Sequence, residues 1–145
     1  MNDVVEKTLQ LQADRERVWK ALTDPAELGM WFPDRTDLEP HAGATGWFDW
    51  TVHGKYAVRV EEVDPPSRLV WTWARDAGVE LEDGPRTTVE WTLEARPDGG
   101  TTLHLRESGF TDAHYRDGND EGWDKELGEL LAYLQAVRPE SPARP

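Results

Sequence analysis

The chain has 145 residues, the length of one ordinary domain, with 31% charged and 37% apolar residues. It has no cysteine, which excludes disulfides, thiolate chemistry and cysteine zinc sites. A net charge of −13 argues against nucleic acid and anionic lipid as partners, and no apolar run approaches the ~20 residues of a membrane span.

The first segment, "VVEKTLQLQA", alternates Val5, Lys7, Leu9 and Leu11 against Glu6, Thr8, Gln10 and Gln12, the pattern of a strand with one wet face. In "DRERVWKALTDP", Asp14 is placed to cap a helix whose Val18, Trp19 and Leu22 recur at helical spacing. Asp24-Pro25 breaks that helix, and Pro25 opens a second short one, "PAELGMWF". Pro33 to Gly46 reads as a loop or weak strand.

"GWFDWTVHGKYAVRVEEV" reads as a hairpin turning near His53-Gly54. A two-residue loop would strand Phe48 and Trp50 on the face of Arg59 and Glu61. A three-residue loop that pairs Val52 with Tyr56, Trp50 with Val58 and Phe48 with Val60 gathers the apolar side chains on one face. Burial favours the second, with Phe48 and Trp50 inward. "DPPSR" is then a turn, and "RLVWTWA" a strand with Leu69, Trp71 and Trp73 on one face.

After the polar loop "DAGVELEDGP", "RTTVEWTLEA" places Val89, Trp91, Leu93 and Ala95 inward. "RPDGG" turns the chain, and "TTLHLRESGF" places Leu103 and Leu105 inward, with Glu107 on the same parity. "DEGWDKELGELLAYLQAV" carries Trp123, Leu127, Leu130, Leu131 and Leu134, the stripe of a long helix, with Asp120 and Glu121 expected at its start, where the dipole favours negative charge. "PESPARP" reads as a Pro-rich tail, so residues 1–138 are expected to form one domain and 139–145 a flexible end. Strands grouped together with helices at the ends indicate α+β.

"ERVWKALTDPAELGMWF", "EEVDPPSRLVWTWA", "LHLRESGF" and "EGWDKELGELLAYL" together resemble the START-like (SRPBCC) superfamily, and within it the branch named after the C-terminal domain of the heat-shock-protein-90 ATPase activator. The resemblance spans Val4 to Val137. It implies the helix-grip fold: a curved antiparallel sheet of six to seven strands wrapped around the long C-terminal helix, two short helices after the first strand, and a cavity between sheet and helix. Members often carry a Gly-Gly pair before the second hairpin, where this chain reads "HAGATGWFDW".

Chemistry is sparse in the pattern. His41, His53, His104 and His114 form no metal-ligand spacing, and Ser67, Ser108 and Ser141 sit in no nucleophile elbow. No Gly-rich loop joins a strand to a helix, so phosphate cradling is not expected. Glu107 is the one acid/base candidate. It would act if an apolar cavity desolvated it, and would be inert if it lay hydrated at the mouth or paired with an arginine such as Arg35.

The aromatic set carries more. Eight Trp stand against three Phe and three Tyr. Phe48, Trp50, Trp71, Trp73 and Trp91 fall on the inward face, while Trp31, Phe32, Phe110 and Trp123 are expected to close the ends. With Glu107 and Leu127 they make the expected ligand-binding set of a hydrophobic or aromatic small molecule, held without catalysis, cofactor or metal. Two other functions stay open: a co-chaperone-like regulator meeting a heat-shock-protein-90 ATPase through its acidic surface, and a cyclase or dehydratase using Glu107. The start "MNDVVEKTLQLQADRE" has no basic end followed by an apolar block. A cytoplasmic bacterial protein, monomer or homodimer, is the expectation.

Overall fold

The computed structural model describes residues 3–136. The chain runs β1 (Val4–Leu11), α1 (Arg15–Thr23), α2 (Pro25–Trp31), β2 (Arg35–Asp37), β3 (Thr45–Trp50), β4 (Gly54–Asp64), β5 (Arg68–Ala74), a single 3₁₀ turn at Leu81–Asp83, β6 (Arg86–Ala95), β7 (Thr101–Ser108) and α3 (Ala113–Ala136). The seven strands form one antiparallel sheet in the order β1-β7-β6-β5-β4-β3-β2. This is α+β architecture, the helix-grip arrangement expected from the sequence. The expected Pro-rich tail, 139–145, lies outside the described residues. Among the described residues no helix is long and apolar enough to cross a membrane.

Local signals set the helix starts. The Asp14 carboxylate accepts the Arg17 N–H at 2.8 Å and caps α1, and Asp24 accepts the Ala26 N–H at 3.0 Å and caps α2, with Pro25 in the first turn. Inward parity fills the core: Val5, Leu69, Trp71, Val89, Trp91, Leu93, Leu103 and Leu105 are all buried. Leu127 and Leu130 of α3 are buried in the same core. Ala95, expected inward, is exposed at the end of β6, where the strand runs past the layer above it.

Two expectations need correction. The β3–β4 hairpin turns at residues 51–53, two residues earlier than the sequence suggested, so Trp50 pairs with Gly54 and Phe48 with Tyr56, four positions from the expected partners Val58 and Val60. Even-numbered residues still share the inner face, because an even slip preserves parity. Val52 is left at the tip, 87% exposed. Gly54 supplies the positive φ (108°) that leaves this turn, and a Cβ there would come within 2.9 Å of the Ala77 Cβ. Where the sequence carries "HAGATGWFDW", Gly46 lets β2 close on β3: a Cβ would lie 1.6 Å from the Asp37 carbonyl oxygen.

The second correction concerns α3, which begins at Ala113, two turns before Asp120. Asp112 accepts the His114 N–H at 2.8 Å there. Asp120 is therefore not at the dipole end. It instead ties the helix to β1 through Lys7, which also meets Asp124 at 2.9 Å.

Candidate functional site

The early start of α3 determines the site. Its Leu-rich half packs into the core, but the preceding turns, Trp123 apart, offer Gly118, Asn119, Gly122 and Glu126 to the sheet instead of large apolar side chains. These positions follow helical spacing and fall on one face. The helix consequently stands off from the ends of β3, β4 and β5, leaving a half-open cavity of about 380 Å³.

Rings line this space. Trp50, Tyr56 and Trp73 are partly exposed in it, and Phe32, Phe110 and Trp123 lie at its base. Trp50 and Tyr56 meet nearly edge to face, 5.6 Å apart at 80°, and Trp50 and Trp73 stand 6.2 Å apart at 65°. The three exposed rings thus form a corner. Trp73 also belongs to a second set with the buried Phe32 and Trp123, the three rings being close to parallel and pairwise 5.5–5.9 Å apart. Three rings equidistant from one another cannot form a column, so they spread as a tiled base. The Trp50 indole N–H donates to the Phe32 carbonyl oxygen at 3.0 Å, which fixes that wall to the end of α2.

Polar groups are few. Glu126 borders the cavity without an ion-pair partner among the described residues. Burial pushes its carboxyl up to about 7, with Lys125 and the Trp50 indole opposing the rise and Glu129 and Asp34 adding to it. Arg75 also borders the space, but its guanidinium is held by Asp76 through two contacts of 3.0 and 3.1 Å and lies 3.9 Å over the Tyr115 ring. His53 stands exposed at the rim.

Glu107 faces inward, as parity required, and is wholly buried. It lies behind the cavity and not on its wall. Five contacts converge on its carboxylate. Thr87 Oγ1 donates to Oε2 at 2.5 Å, Trp73 Nε1 to Oε2 at 2.9 Å and Trp123 Nε1 to Oε1 at 2.7 Å, and Asn119 Nδ2 reaches both oxygens at 3.1 Å. Every partner is a donor, so the carboxylate has no free acceptor position for a substrate. Arg35, one partner considered for it, instead pairs with Asp49 at 2.5 Å across β2 and β3. Glu107 is a strut: it joins β5, β6 and α3 and holds two of the cavity's indoles.

Of the residues singled out from the sequence, Phe32, Trp50, Trp73, Phe110 and Trp123 border the cavity. Trp31, Phe48, Trp71, Trp91 and Leu127 do not; they are buried in the core. Trp31 donates to the Ala21 carbonyl oxygen at 2.9 Å, whereas the buried indole nitrogens of Trp71 and Trp91 have no hydrogen-bond partner among the described residues. Tyr56, Thr87, Asn119, Gly122 and Glu126 were missed. Thr87 was legible, since it shares parity with Val89 and Trp91. The helix residues gave no apolar period to follow. Among the described residues no group of three His, Asp or Glu side chains is placed to hold a metal ion.

Comparison with known proteins agrees with the fold. Residues 12–135 match the family described as Activator of Hsp90 ATPase homolog 1-like protein. Among solved structures, DynU16, a protein of the dynemicin biosynthetic locus, is 28% identical with a TM-score of 0.83 over 96% of this chain and 49% of its own. The chain therefore spans about half of DynU16. MLL2253 from Mesorhizobium loti is 27% identical with a TM-score of 0.82, over 93% of this chain and 98% of its own. The Aha1 dimer from Colwellia psychrerythraea, at 20% identity and a TM-score of 0.75 over 88% of this chain and 92% of its own, shares the fold. No curated protein matches the chain.

Proposed function

The chain belongs to the Activator of Hsp90 ATPase homolog 1-like family of START-like proteins, and we propose that within it this member binds a hydrophobic or aromatic small molecule between the sheet and the N-terminal half of α3. The observation that carries this reading is the cavity of about 380 Å³ walled by Trp50, Tyr56 and Trp73. A largely apolar space with a few convergent polar groups is the form small-molecule sites take. Trp50 and Trp73 are fixed by hydrogen bonds to Phe32 and Glu107, so these two rings need little ordering when a ligand enters. That DynU16 comes from a biosynthetic locus also supports a small-molecule partner.

The proposal makes the helix glycines functional. A Cβ at Gly122 meets nothing within 4 Å, so a larger side chain there projects into open space. Titration with aromatic and lipid-like compounds is expected to shift tryptophan emission and melting temperature. Gly122→Leu, which fills the space, is expected to abolish both responses while the protein stays folded. Unchanged responses in Gly122→Leu would place binding elsewhere, and no response across a broad panel would remove the proposal.

A second reading draws on the family description and the net charge of −13: regulation of a heat-shock-protein-90 ATPase through the acidic surface. Its test is the ATPase rate of the bacterial homologue with and without this protein at low and high salt. A salt-sensitive change supports it, and an unchanged rate dismisses it.

A further inference from the structure

The cavity joins two features that hydrophobic binding does not require. One is a corner of three steeply inclined rings, Trp50, Tyr56 and Trp73. The other is a carboxylate, Glu126, beside that corner and free of ion pairs among the described residues. Ring faces carry negative potential, and several rings around one volume attract a cation most strongly where water is partly excluded. A neighbouring carboxylate adds to the same potential.

The other charged and titratable groups around Glu126 do not reverse the sign. Lys125 and Glu129 flank it on α3, and Asp34 approaches from the segment after α2. Across the cavity stand His53, the Tyr56 hydroxyl and Arg75. Arg75 is the one fixed positive charge there, and Asp76 compensates it through two contacts. The whole chain, at −13, enriches cations over anions near the mouth.

Resting on the small-molecule reading above, we infer that the cavity selects organic cations: an apolar or aromatic body over the base, with its positively charged nitrogen among Trp50, Tyr56 and Trp73 and against Glu126. An alkylated ammonium suits this site better than a primary amine, because it gives up less hydration on entering a ring-lined space. A cation needs Glu126 ionised. Its carboxyl, raised to about 7 by burial, is largely protonated near pH 6 and ionised near pH 8. Binding of a fixed cation therefore strengthens as pH rises across that interval.

The test compares phenyltrimethylammonium with its uncharged isostere tert-butylbenzene, by titration of the protein's NMR signals. At pH 8 the cation is expected to bind about tenfold more tightly, within the range ring-lined sites give cations. The cation should weaken several-fold at pH 6, and the isostere should not. Glu126→Gln is expected to bring the cation close to the isostere and to flatten its pH dependence, while tert-butylbenzene binding survives. His53→Gln, which removes the imidazole at the rim, should leave the pH dependence in place. If the isostere binds as well as the cation, or if Glu126→Gln keeps the preference, the cation inference is overturned and the apolar site stands. If neither probe moves signals from cavity residues, the small-molecule reading fails and this inference with it.

Discussion

Substituting Glu107 by glutamine tests whether the cavity wall is built on a buried carboxylate. The side chain is fully buried, with donors from Thr87, Trp73, Trp123 and Asn119 directed at its two oxygens. Glutamine keeps the shape but replaces one acceptor oxygen by an NH₂ group. If the amide oxygen stays on the Thr87 and Trp73 side, the NH₂ faces the Trp123 and Asn119 donors. Two charge-assisted hydrogen bonds are then lost and two donors are left facing another donor. At about 1.5–3 kcal/mol for each bond to a charged group, the expected loss is about 3–6 kcal/mol. That is a large part of the ~5–15 kcal/mol that holds a domain together. For a chain of this length it should lower Tm by about 10–20 °C. Urea unfolding followed by tryptophan emission measures the loss, and the emission of the folded variant should itself change, since Trp73 and Trp123 lose their anchor. Thr87→Val, which removes a single donor, should cost less than Glu107→Gln. A loss below about 1 kcal/mol for Glu107→Gln would show that the donors are not organised around this group, and the strut role would have to be abandoned.

Glu126→Gln should act oppositely. The folded protein holds this carboxyl near 7, above its ordinary 4.5, so the folded state binds more protons between those values and stability falls as pH rises through that window. Full linkage would be ~3 kcal/mol, reduced by partial exposure to about 1 kcal/mol, and the glutamine variant should be more stable than the parent by that amount at pH 8 and equal to it near pH 4. Denaturation midpoints across pH check this. Gly128→Ala lies on α3 away from the cavity, in open space, and should raise stability by about 1 kcal/mol from helix propensity alone while leaving ligand binding intact. Asp120 is held below its usual range chiefly by its hydrogen bond to Lys7, so its contribution is present above the ordinary carboxylate value and lost as pH falls through the depressed one. Asp120→Asn should flatten the acid end of the stability profile, read as the midpoint shift below about pH 4.

The sheet was legible because alternation is a direct record of which face a strand buries. Parity placed Trp71, Trp91, Leu103 and Glu107 inward, and the structure buries all four. The hairpin shows the limit of that signal. Parity is conserved under any even slip, so burial could orient Phe48 and Trp50 but could not distinguish a turn at 51–53 from one two residues later. Pocket and core were not separable for a related reason. Trp71 and Trp73 have the same parity on one strand, yet Trp71 is sealed in the core and Trp73 reaches the cavity, because the helix above them changes from leucine to glycine along its length. That change lies in "DGNDEG", where no apolar period announces a helix and the polar residues suggest a loop.

The two carboxylates between sheet and helix have opposite surroundings. Asn119 bonds Glu107 behind the cavity, and Glu126 lies two turns further along the same helix, on the cavity wall. Glu107 is saturated with donors, so its value lies in rigidity, and any substitution that frees it should loosen Trp73 and Trp123 together. Glu126 has burial without a matching set of donors, so it carries a desolvation cost that a bound cation would relieve. A protein under selection for stability alone would replace Glu126 with an uncharged residue and fill Gly122. Retaining both leaves a cavity and a poised charge side by side, the combination that a ligand site needs and a packed core does not.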